Sequence, residues 1–89
     1  MATNADLVKL ALVVLVREEA EYIQDVLEAA RLESAALDRD VDARVYNDPS
    51  YLSQAEELRS QSRAILDGLP VKKTGIDARR QILGVESAQ

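Results

Sequence analysis

The sequence predicts an all-α chain: a long N-terminal helix, paired as an antiparallel hairpin with a second helix, followed by a short C-terminal helix. Three observations carry this expectation. The first 48 residues contain neither proline nor glycine. Apolar residues recur three and four apart along two segments, the spacing of one helical face. Between those segments, Asn47-Asp48-Pro49-Ser50 is the clearest punctuation in the chain.

The first helix is expected over residues 1–46. Thr3 or Asn4 serves as its N-cap, and Asp6 sits in the first turn, where a carboxylate complements the exposed N–H groups. Its apolar seam reads Val13, Val16, Ala20, Ile23, Leu27, Ala30, Ser34, Leu37 and Val41. Arg17, Glu18, Glu21, Asp25 and Glu28 form the opposing solvent face, with Arg17–Glu21 and Glu28–Arg31 as helical neighbours. Ser34, Asp38, Asp40 and Asp42 lower helix propensity, so a bend near Ser34 is the alternative to one continuous helix. A strand over residues 7–16 is the weaker reading, because no second strand is evident to pair with it.

The second helix is expected over residues 49–67, with Asp48 as N-cap and Pro49 as the first helical residue. Its seam is Tyr51, Ala55, Leu58, Ser62, Ile65 and Leu69. Gly68-Leu69-Pro70 reads as a glycine C-cap and a proline stop. Thr74 and Asp77 resemble a capping arrangement for a short third helix over 75–83, stopping at Gly84 and leaving 84–89 as a loose tail. Tyr46 and Tyr51 are placed to close the turn end of the hairpin, and Tyr22 lies beside the seam.

These 89 residues form one domain, near the size at which a single chain struggles to bury a sufficient core. Three tyrosines are the only aromatic residues, so the core must be aliphatic. With no cysteine and no histidine, disulfides and thiolate or imidazole metal sites are excluded. Association with other chains is the remaining route to a larger core.

Charge is uneven. Residues 1–69 carry seven basic and fourteen acidic side chains, whereas residues 70–89 carry Lys72, Lys73, Arg79 and Arg80 against Asp77 and Glu86. The acidic body argues against nucleic acid as a main partner. The four basic residues are candidate contacts for an anionic partner, at most marginally a nucleic acid; the plainer alternative is a solvated short helix with Asp77 beside Arg80. Residues 7–16 are too few to cross a bilayer and lack the flanking pattern of a secretory leader. The expectation is therefore a cytoplasmic protein, or one within a particle assembled in the cytoplasm.

No constellation suggests chemistry. Asp38, Asp40 and Asp42 begin like a calcium loop, but Ala43 and Pro49 stand where glycine and glutamate are required. Glu18, Glu21, Asp25 and Glu28 have helical spacing without the histidines that a bundle metal site would use. Lys72-Lys73-Thr74-Gly75 inverts the order of a phosphate loop. Neither enzymatic activity nor a cofactor is expected.

Helix lengths point instead to a surface. At ~1.5 Å per residue, a second helix of ~18 residues returns only to about Glu28 or Arg31, leaving the apolar run of the first helix uncovered. The expected protein interface is Leu7, Val8, Leu10, Ala11, Val13, Val14, Val16, Ala20 and Ile23. The function expected is a self-associating structural or adaptor subunit, as in a phage particle or secretion apparatus. A small chaperone holding a client's amphipathic helix is the alternative, and an antitoxin-like regulator the weaker one.

Overall fold

In the computed structural model, which describes residues 3–84, the chain is two α-helices: α1, Asn4–Val45, and α2, Ser50–Leu83. They pack along their length as an antiparallel hairpin measuring 66 × 21 × 19 Å. Asp40 faces Arg59, Asp25 faces Lys72 and Glu19 faces Arg80, which fixes both direction and register.

Both ends of α1 follow from local chemistry. Thr3 Oγ1 accepts from the Asp6 N–H at 3.2 Å, and Asp6 Oδ2 accepts from the Thr3 N–H at 3.1 Å, a reciprocal cap that satisfies two otherwise orphan donors. The backbone and hydroxyl of Thr3 hold the Asp6 carboxyl below its ordinary pKa. The helix then runs unbroken through Ser34 to Val45. Asn47 takes the left-handed conformation (φ 50°), a position that asparagine tolerates better than most residues, and this reverses the chain. The start of α2 is corrected by one residue: Pro49 is the N-cap rather than the first helical residue, and Asp48, expected as N-cap, lies just before it, its Oδ1 accepting from the Ser50 N–H at 2.9 Å. The Tyr46 and Tyr51 rings meet at 6.0 Å between centroids and close the turn.

The expected boundary at residues 67–75 is corrected. α2 does not stop at Gly68-Leu69-Pro70, and residues 75–83 are its final turns rather than a separate third helix. Pro70 cannot donate to the carbonyl four residues back, a cost of about 3 kcal/mol in a helix interior. Tertiary contacts offset it: Leu69 and Ile76, seven residues apart on either side of the proline, are both buried. Lys72, Arg79 and Arg80 all reach carboxylates of α1. Thr74 is not an N-cap; its hydroxyl donates to the Pro70 carbonyl at 2.8 Å from inside the helix. Gly84 is the stop that the sequence predicts, left-handed at φ 69°, with its N–H bonded to the Arg80 and Gln81 carbonyls. The rest of the expected tail, 85–89, lies outside the described residues.

The seam of α2 is the expected one, with Ala55, Ser62 and Leu69 buried and Tyr51, Leu58 and Ile65 half-buried. The seam of α1 is not. α1 packs through Leu15, Tyr22, Ala29, Leu32 and Ala36, which are buried or, for Tyr22, half-buried. All nine residues of the expected seam, from Val13 to Val41, are exposed. The two stripes differ by two residues in register, about 200° around the helix, so they lie on nearly opposite faces. Alanine and serine dominate the waist: Ala36, Ala55 and Ser62 have no solvent exposure, and small side chains at the contact let two helices approach closely.

Candidate association surface

The inner seam carries charge as well as apolar groups. Glu18 and Asp25 occupy seam positions on α1, at the same seven-residue interval as Lys72 and Arg79 on α2, and they pair as Glu18 with Arg79 and Asp25 with Lys72. Glu18 Oε1 and Arg79 Nε are shielded from solvent where they meet. Glu18 and Asp25 therefore do not belong to a solvent face opposite the seam. Glu28, which does reach solvent, pairs with Arg31 at 2.6 Å, and that guanidinium lowers the pKa of the Glu28 carboxyl.

The candidate anion-binding residues are largely consumed by these contacts. Lys72 and Arg79 are paired as above; Arg80 binds Glu19 at 2.7 Å and Asp77 at 3.4 Å. Glu19 is the main cause of the raised Arg80 pKa. Lys73 has no ion pair among the described residues. The acidic surface that these cations meet is α1 of their own chain.

Acidic residues around position 40 are committed in the same way. Arg59 bridges Asp40 and Glu56, with Asp40 the first cause of its raised pKa, and Arg39 binds Asp42 at 3.1 Å. Among the described residues, no group of three or more acidic side chains is arranged to hold a metal ion. No described helix is long and apolar enough to cross a membrane.

The outer face of α1 holds what remains. Of the expected interface residues, Leu7, Val8, Leu10, Val13, Val16, Ala20 and Ile23 are exposed, whereas Ala11 and Val14 are half-buried. Leu15, which interrupts that set, is only 2% exposed and belongs to the hairpin core. A second helix too short to reach this end, the expected cause of the exposure, is not what leaves the face bare. α2 is not too short, since Leu83 and Ile82 lie beside Ala11; it covers one side of α1 and leaves the other bare.

The imbalance is large. Among the described residues, seventeen large apolar side chains are exposed, twelve of them on α1, against four large aliphatic side chains buried: Leu15, Leu32, Leu69 and Ile76. The exposed stripe continues past the expected N-terminal half to Leu37 and Val41, which line a shallow groove with Leu52. Sequence reasoning found this stripe but took it for the internal seam. The signal that separates the two is electrostatic: only the inner stripe carries Glu18 and Asp25 at the spacing of Lys72 and Arg79. No protein family, curated protein or solved structure matches the chain.

Proposed function

We propose that this chain is a non-enzymatic protein–protein association module, a self-associating subunit of a larger assembly that packs through the outer face of α1. One observation carries this: an apolar stripe spaced three and four apart from Val13 to Val41 stands in solvent on a helix whose opposite face is already paired. Single exposed aliphatic residues are ordinary, but a contiguous helical stripe of this length is characteristic of a surface that another helix covers. The thin hairpin core supports the same reading, because small domains of this kind gain stability by association.

Light scattering on the purified chain, with native mass spectrometry of whatever accompanies it, tests the proposal. A defined oligomer is expected, and Ile23→Asp or Leu27→Asp should reduce it to a monomer that keeps its helical circular dichroism. A chain that is monomeric at high concentration and folded on its own would rule the proposal out. A second, different chain seated on the stripe would favour the client-binding alternative.

A further inference from the structure

We infer that the occupant of the outer face is a second copy of the same chain, packed antiparallel about a two-fold axis in one register, in which each stripe position i of α1 faces position 57 − i of the partner and the residues flanking the stripe face one another two positions off that rule. This rests on the association proposed above. It adds the orientation and the register.

Size matching along the stripe singles out this arrangement. Ala20 meets the partner's Leu37, Ile23 meets its Ser34, and Leu27 meets its Ala30, so in three successive layers a large side chain faces a small one. Val16 and Val41 form the outer apolar layer, medium against medium, and beyond it Val13 falls beside the partner's Arg44. A core fills evenly when large and small residues alternate across the facing positions. A parallel pair would instead set Leu27 on Leu27 and Ala30 on Ala30, crowding one layer and leaving a void in the next. Sliding the antiparallel pair by one heptad fails in the same way: Ala20 then faces Ala30 while Ile23 faces Leu27, or Leu27 faces Leu37 while Ala30 faces Ser34.

Self-complementarity is also what identifies the occupant. A two-fold contact requires one patch to fit its own reversed image, a constraint that a surface for an unrelated client helix does not carry. The flanks obey it too. Along one edge, Arg17 falls opposite the partner's Asp38, and neither residue has an ion pair within the hairpin among the described residues. At the end of the same edge, Leu10 falls opposite the partner's Val45; both are largely exposed in the hairpin. The other edge brings Glu19 towards the partner's Asp40. Those carboxylates are already bound by Arg80 and Arg59 of their own chains, which removes most of the repulsion.

The absence of native cysteine makes the register directly measurable. Val16→Cys and Val41→Cys are prepared separately, mixed, and oxidised. The expected result is a covalent dimer containing one of each, exceeding self-linked product by about tenfold or more, because like positions lie roughly 38 Å apart along an antiparallel pair. Self-linking of either variant alone at a comparable rate would show a parallel pair and overturn the inference. In addition, Ala20→Leu should weaken the dimer by about tenfold, and adding Leu37→Ala should restore it, since the swap keeps one large residue per layer. Strengthening by Ala20→Leu alone would also overturn it. A dimer by light scattering without the 16–41 link refutes the register and leaves self-association standing; a monomer refutes both.

Discussion

Ser62 donates its hydroxyl to the backbone carbonyl of Ala29 at 3.2 Å, across the waist of the hairpin, with no solvent exposure of Ser62. The contact is local in size and large in consequence. A serine hydroxyl reaches the other helix's backbone only if the two helices lie close together, and the surrounding Ala29, Ala36 and Ala55 permit that approach. The hydrogen bond also satisfies a polar group that would otherwise be costly to bury.

Ser62→Ala is expected to cost about 1 kcal/mol, the net value of one buried hydrogen bond. Ser62→Leu should cost more, about 1–3 kcal/mol, by forcing the helices apart. Denaturant unfolding followed by circular dichroism at low protein concentration checks the order. A leucine that stabilises the hairpin would show that the waist has room to spare.

The continuity of α2 has its own test. Pro70→Ala should stabilise the hairpin by up to about 3 kcal/mol, because it restores a helical hydrogen bond and removes a steric conflict. Gly68→Ala and Gly75→Ala should each add about 0.5–1 kcal/mol, since a Cβ at either position meets nothing within 4 Å. A Gly68 acting as a left-handed cap would instead make its alanine variant less stable, so thermal unfolding of that single variant discriminates between a continuous helix and a broken one.

Seam charge should behave as a pair. Glu18→Arg and Arg79→Glu each set like charges together, at an expected cost of about 0.5–1 kcal/mol, kept small by the partial exposure of both side chains. The double exchange should recover most of that loss. A double-mutant cycle with no coupling would mean that the pair contributes nothing to register.

Acid should weaken the hairpin in a defined window. The Asp6, Asp48 and Glu28 carboxyls have lowered pKa values, through the backbone and side chain of Thr3, the backbone and side chain of Ser50, and the guanidinium of Arg31, respectively. A carboxyl depressed by folding contributes stability that is fully present above its unfolded value and is lost as pH falls through its folded value. Stability should therefore be nearly flat from pH 7 to about 5 and decline below about 4. Asp6→Asn should flatten part of that decline; a decline left unchanged by Asp6→Asn and by Asp48→Asn would assign it to other groups.

The elements were largely legible from residue order, because caps, turns and periodicity act locally. Thr3 with Asp6, Asp48 before Pro49, and Gly84 at the far end each satisfy or redirect backbone groups within a few residues, so short-range chemistry suffices to find them. Pro70 was misleading for the complementary reason. Its local cost is real, but Leu69 and Ile76 are buried on either side of it, and Lys72 and Arg79 pair with Asp25 and Glu18, more than forty positions away.

Sequence alone determined that α1 is amphipathic and acidic and that the chain reverses around Asn47 into a second helix; that α1 runs unbroken through Ser34 was decided by the structure. Which face of α1 turns inward was decided only by tertiary structure. Two stripes on α1 share helical spacing, and the more apolar one looks like the core when α1 is considered by itself. Pairing with α2 selects the other, because Ala29 and Ala36 let the backbones approach and because Glu18 and Asp25 meet Arg79 and Lys72 there. Closeness and charge register are properties of two helices together, and they leave the larger aliphatic face outward.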